Sequence, residues 1–552
     1  MIRQKFNFLL LLLLLSCNKL ISQDWKIYPY NPPGSVLNFP KDDGRHHGIK
    51  NITEWHYINL HLIGSAPEYR KYDVMLAYFR KPVTMRIFNV SEPKAGIFHV
   101  DVDHAQNVYS QKSDSWDLRY KPRTLNDYSY ATYPFDGVPY SYVFHTTSIK
   151  NNDVIDLKVT SLKPPLVVGG DGYIPIGVYG DSSFYYSYTN MKVEGNIIFN
   201  GIKDSITSGI GWIDRQYGPF IVGVNPNAQY EWFSLQLDNP NTMWGTPQNP
   251  TEINIWQVFN KNRIPYNASS RLASSIYANN NQDTSSNFIF ERTGYWFDSI
   301  ERKYYSQGWR YIDPLKEVTV DMTPDFGNQI IDVTLFKFWE GSTLLKGVIG
   351  DEKVDGLGFA ELVTNSYKKI ICPSPPTNLV GINHVNYNEL NWNTSNAGTF
   401  PIGGYRIYRS TQNDGHWKYL GSTTNLSYQD YPDHPNQTYY YTITSFDNWS
   451  STSASKYADA IMVAPSNGKM AQKNDLNNIE IYPNPSREKV FIKIGKMGQT
   501  KVELFHSDGR KIFEKLLDKE LNEMNIAHLA CGIYFIHLST DEEMEVKKLI
   551  IE

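Results

Sequence analysis

The sequence predicts an all-β protein of several domains, and three observations carry that expectation. At 552 residues the chain is several times the usual domain length, so more than one core is needed. No stretch sustains a helical period, whereas short runs rich in Val, Ile, Tyr, Phe and Thr, divided by Gly, Pro, Asn and Asp, recur throughout. Aromatic residues make up 14% of the chain, a share that unfolded chains do not carry. Charge narrows the partners. Lys+Arg 53 against Asp+Glu 57 leaves a net charge of -4 with no basic run, so nucleic acid is not an expected partner.

Taken in chain order, the first element is a leader. Phe6 to Leu15 is apolar, follows Arg3 and Lys5, and is too short to span a bilayer, which is the pattern of a secretory signal peptide over residues 1–22. Cleavage before Gln23 is the preferred reading; a lipobox reading of Leu14-Leu15-Ser16-Cys17 would instead lipidate Cys17. No transmembrane segment is expected in the mature chain. Cys17, Cys372 and Cys531 are too far apart for a disulfide framework or a zinc motif.

Residues 24–367 form the informative segment. A Gly-x-Ser-x-Gly elbow, a His-Glu-x-x-His pair, a Walker loop and a GxGxxG turn are all missing from it, so no cofactor is assigned. His99, Asp101 and Asp103 share one strand face, a set of hard ligands without a second pair of matching spacing, and no metal site is assigned to them. Three stretches hold polar groups among aromatics. In Glu54-Trp55-His56-Tyr57-Ile58-Asn59, alternation puts Glu54, His56 and Ile58 on one face and Trp55, Tyr57 and Asn59 on the other. Tyr185 and Tyr186 are adjacent, so one of them faces an interior and its hydroxyl needs a partner. In Trp212-Ile213-Asp214-Arg215-Gln216-Tyr217, Trp212 and Asp214 share a face.

These stretches, together with YDVMLAYFR at 72–80, EWFSLQL at 231–237, FWEGS at 338–342 and GLGFAEL at 356–362, resemble the lipocalin-like carotenoid hydratase family of the hydroxyneurosporene synthase or AttH type. The resemblance implies two packed lipocalin-like antiparallel β-barrels that bind an apolar, isoprenoid-like small molecule. Enzymes of the family begin by protonating an alkene, which needs an acid kept protonated in an apolar pocket. On the matching motifs the resemblance assigns catalysis to Asp214, Arg215 and Tyr185. It assigns substrate binding to Glu54, Trp55, His56, Tyr57, Tyr186, Trp212, Gln216 and Trp232. His56 stands where the family usually has tryptophan, and so does Tyr217, so the substrate does not transfer. Asp214 and Arg215 also admit a purely structural reading, as a buried ion pair at a barrel junction.

After a proline-rich linker at 368–379, residues 375–465 hold about seven short strands with Trp392 on an early one. They resemble a fibronectin type III domain, with Trp392 in the core and a corner tyrosine in the Tyr439–Tyr441 run. Its expected part is that of a spacer or weak binder. A second linker spans 466–478. The last block, 480–552, carries Tyr482-Pro483-Asn484-Pro485, Asp508-Gly509-Arg510 and Gly532-Ile533-Tyr534. It resembles the C-terminal sorting domain of type IX secretion, which implies a small β-sandwich read by that machinery and Bacteroidetes-type delivery to the cell surface or medium.

The reading is an exported protein that binds a lipophilic molecule and hydrates or isomerises it by acid catalysis. The alternatives from other classes are a non-catalytic ligand-binding or adhesion protein, and a carbohydrate-processing surface protein. Buried aromatics favour the lipid and exposed ones the sugar.

Overall fold

The computed structural model describes residues 24–465 and 480–552 apart from short interruptions, the largest at 133–139, 221–227 and 239–249. The leader, Cys17 and the linker 466–478 lie outside the described residues. Strands dominate, as the alternating runs require, and the helical elements among the described residues are 3₁₀ turns at Lys41–Asp43 and Pro93–Ala95. The chain divides into a unit ending at Ala464 and a unit from Pro465 to Glu552.

The first unit is built on two large curled antiparallel sheets, of 14 and 10 strands among the described residues. Central in the first sheet, Thr53–Ile63 pairs with Ser208–Gly218, which pairs in turn with Ser182–Phe199. Central in the second, Gln229–Asp238 lies between Thr251–Phe259 and Glu352–Leu362, and Lys337–Ile349 follows. These strands are buried on both faces, which is why their sequences read as nearly continuous apolar runs rather than as clean alternation. Each sheet folds around a core of its own, the first around residues such as Ile58, Leu60, Tyr188 and Ile213, the second around Phe233, Trp309 and Trp339. A third core lies where the two sheets face one another, with Trp55, Tyr57, Tyr185 and Trp212 from the first and Trp232, Trp256, Phe338 and Phe359 from the second.

Residues 377–463 form a sandwich of a three-stranded and a four-stranded sheet around Leu390, Trp392, Ile407 and Tyr441. The Tyr441 hydroxyl donates to Asp430 at 2.6 Å. This sandwich belongs to the same compact unit as the large sheets. Arg406 Nε donates to the buried Glu291 at 2.6 Å, the Tyr457 hydroxyl donates to Asp321 at 2.6 Å, and the backbones of Arg292 and Ser453 form a bridge. Residues 368–376 between them run without regular structure, and Ile370 is buried. The second unit is a smaller sandwich of three and four strands with a core that includes Val490, Leu504, Ile536 and Leu549.

Candidate functional site

Strand register sets two rows of side chains against each other in the core between the large sheets. On the first sheet Tyr57, Asp214 and Ser187 are cross-strand neighbours, flanked by the row Trp55, Gln216 and Tyr185. On the second sheet Glu340, Glu361, Trp232 and Trp256 form one continuous row. Tyr57 donates to Glu340 Oε1 at 2.6 Å, and Tyr230 donates to Glu361 Oε1 at 2.6 Å. Asn254 Nδ2 donates to the Tyr185 hydroxyl at 2.9 Å and to Ser187 Oγ at 3.2 Å, and Asn59 Nδ2 donates to Ser234 Oγ at 3.2 Å. Rings close the sides: Tyr57 meets Trp232 edge to face at 5.0 Å, and Trp212 meets Trp232 at 6.3 Å.

Asp214 accepts from Trp212 Nε1 at 2.6 Å and from the hydroxyls of Tyr185 and Ser187, each at 2.5 Å. Burial outweighs these three donors and pushes its carboxyl up to about 6. Burial and the neighbouring Glu361 hold Glu340 well above the usual carboxylate range, and burial takes the partly exposed Glu361 up to about 7. The charge of Asp214 raises both glutamates further. Among the described residues no Lys, Arg or His pairs with any of the three. Three acids crowded together without a cation cannot all ionise near neutral pH, so the site stores protons. Glu340 Oε2, Asn254 Oδ1 and both polar atoms of Gln216 are buried without a hydrogen-bond partner, so the network keeps unused hydrogen-bonding capacity.

Of the residues expected from the sequence, the structure brings Asp214, Tyr185, Trp212, Tyr57, Trp55, Gln216 and Trp232 to this interface. Arg215, Glu54, His56 and Tyr186 lie on the opposite face, inside the first sheet, because neighbours on a strand alternate. Asp214 and Arg215 therefore do not pair. Arg215 Nη2 donates to Glu54 Oε1 and to the Gly44 carbonyl, both at 2.6 Å. Burial opposes ionisation of Glu54, but Arg215 and His46 prevail and hold its carboxyl well below the usual range. Tyr186 donates to Asp43, which also accepts from Tyr142 and Tyr188. His56 sits edge-on against Trp116, and burial together with Arg215 keeps its imidazole neutral. His99 is bonded to Asp153 and Asp101 to Arg86, so the strand face they share is divided between separate partners.

Sequence reasoning passed over Glu340, Glu361, Asn254, Ser187 and Tyr230. A signal for the glutamates was present, since FWEGS and GLGFAEL each set one carboxylate among apolar and small residues. A charged residue in a strand buried on both faces has to answer to something.

A search of curated proteins finds no match. Among solved structures, a protein assigned as AttH from Nitrosomonas europaea is 19% identical, covers 60% of this chain and 97% of its own, and gives a TM-score of 0.49. Kievitone hydratase from Nectria haematococca is 17% identical, covers 61% of this chain and 99% of its own, and gives a TM-score of 0.47. Residues 480–552 match the secretion system C-terminal sorting domain, a tail that engages the type IX machinery and directs the protein to the cell surface or medium. The model of the AttH-like family matches residues 30–366, which hold both large sheets and the carboxyl site between them, and the chain belongs to that family.

Proposed function

We propose that the interface between the two large sheets is an acid-catalytic site that adds water to an isolated carbon–carbon double bond of a lipophilic, isoprenoid-like substrate. The observation that carries this reading is the set of three carboxyl groups, held among aromatic rings with no cation paired to them among the described residues, the carboxyl of Asp214 pushed up to about 6 by burial. Asp214 is the proton donor. Its O–H transfers the proton to one alkene carbon as the π pair forms the new C–H bond, leaving a tertiary cation on the other. The faces of Trp212, Trp232 and Tyr57 stabilise that cation by cation–π attraction. Water adds to it and gives up a proton to Glu361 in its ionised form, Glu340 being held protonated. The sum is alkene plus water to alcohol, with the acid restored by proton exchange within the carboxyl group. Tyr185 and Trp212 orient the donor through their bonds to its oxygens. Because the aromatic side chains here are buried, the setting suits a lipid better than a stacked sugar.

The mature chain incubated with geraniol, farnesol and geranylgeraniol in ¹⁸O-labelled water is expected to yield a labelled alcohol by mass spectrometry. Asp214→Asn keeps the shape and most of the hydrogen bonds but removes the proton, so turnover should fall about 10²-fold or more while affinity for the alkene holds. Equal turnover in wild type and Asp214→Asn ends the proposal. Binding with no turnover by either protein reduces the site to ligand storage.

A further inference from the structure

A cavity of about 580 Å³ opens where the second large sheet meets the sandwich at 377–463, separate from the carboxyl site. Its volume falls in the range of small-ligand pockets. The sheet contributes Trp309, Met322, Leu344 and Leu345, all but Leu344 also belonging to the core inside that sheet's curve, and the sandwich contributes Trp417 and Tyr457. Part of the wall therefore comes from residues beyond the family match at 30–366.

The charges in the wall are divided unevenly. Asp321 is met by Arg310 Nε at 2.7 Å and by the Tyr457 hydroxyl at 2.6 Å, and Asp355 is met by His416 Nε2 at 3.0 Å. Arg310 is itself used up, lying 3.9 Å from the centre of the Tyr457 ring as well as on Asp321. Lys346 and Lys456 also line the cavity, and neither pairs with a carboxylate among the described residues. Lys346 Nζ donates to the Asp414 carbonyl at 3.1 Å. Its stem crosses Gly415, whose φ of +89° and missing Cβ leave it that path, since a Cβ there would come within 3.1 Å of Lys346 Cδ. Asp321 is neutralised by Arg310 and Asp355 is bonded to His416, while Lys346, which stands between these two acids in the strand register, and Lys456 meet no carboxylate at ion-pair distance among the described residues.

We propose that this cavity is a second binding site, for an anionic amphiphile whose hydrocarbon tail lies along Leu344, Trp417 and Tyr457 and whose carboxylate is met by Lys346, which shares the outer strand face with Leu344, and by Lys456. On this assignment the appended sandwich is half of a binding site rather than a spacer. The site is independent of the alkene chemistry proposed above.

Isothermal titration of the mature chain with dodecanoate and with dodecanol, below their aggregation concentrations, tests it. Dodecanoate should bind with one site per chain and weaken as salt is raised, and dodecanol should bind at least about tenfold more weakly. The Lys346→Gln, Lys456→Gln double variant removes the two charges without setting a new acid between Asp321 and Asp355, and should lose dodecanoate by about tenfold or more while its melting temperature holds. Leu344→Trp, at a half-exposed position, should block both ligands by filling the cavity, and Asp214→Asn should bind dodecanoate like wild type. No binding of dodecanoate to the wild type, or equal binding by the double variant, overturns the assignment.

Discussion

Asp214 and Arg215 are consecutive residues of one strand, yet they serve opposite electrostatic regimes. Inside the first sheet, Arg215, His46 and Arg80 surround Glu54 and hold it ionised. Between the sheets, Asp214, Glu340 and Glu361 have hydroxyl, amide and indole groups for company and cannot all give up their protons together. Both regions bury carboxyl groups, and only one is compensated by cations. A buried ion pair is an anchor because removing either member leaves an expensive charge behind. A crowd of uncompensated acids is stable only with protons aboard, which is the condition for passing one to a substrate.

The contrast can be broken most severely at Arg215. Arg215→Met leaves Glu54 buried with its main counter-charge gone, and unfolding by urea should show a loss of about 3 to 5 kcal/mol. A loss below about 1 kcal/mol would mean that His46 and Arg80 suffice.

The second expectation is a dependence on pH of the opposite kind. The carboxyl of Asp214 is raised from 3.8 to about 6 on folding, so its contribution is fully present below pH 3.8 and is lost as pH rises through about 6. Asp214→Asn does not titrate, and its stability relative to wild type should grow by about 2 kcal/mol between pH 4 and pH 7. A flat difference would show that Asp214 stays ionised throughout. Glu54 has the reverse sign: its folded value lies below its unfolded one, so the anchor stabilises above the unfolded value and weakens as pH falls through the folded one.

The smallest effect sharpens the chemistry. The Tyr185 hydroxyl favours the ionised form of Asp214, so Tyr185→Phe should raise the Asp214 carboxyl further and move the alkaline limb of the turnover profile to higher pH. A limb that stays in place while turnover falls would show that Tyr185 only packs.

How far the sequence disclosed this arrangement follows from the range of each interaction. Period-two alternation is local, and it correctly divides Glu54 and His56 from Trp55 and Tyr57, and places Trp212 beside Asp214. The same rule separates Asp214 from Arg215, and the reading of the two as an ion pair ran against it. Glu340 and Glu361 are more than a hundred residues from Asp214, and their place opposite it depends on the registers of four strands and the stacking of two sheets. None of that is written in any local pattern. The cavity between the second sheet and the sandwich was illegible for the same reason, since its walls come from two folded bodies that meet through charged pairs such as Arg406 and Glu291.

The bond from Arg406 to Glu291 bears on how such a chain is inherited. The family match ends at residue 366, but Glu291 within it is neutralised by an arginine forty residues past that limit. A recombination that cut at the family boundary would take away the Arg406 bond at 2.6 Å and leave Glu291 the longer contact with Arg310 at 3.6 Å. Glu291 and Arg406 are then expected to occur together among relatives in which the sandwich is part of the machine, and separately in those in which it is cargo.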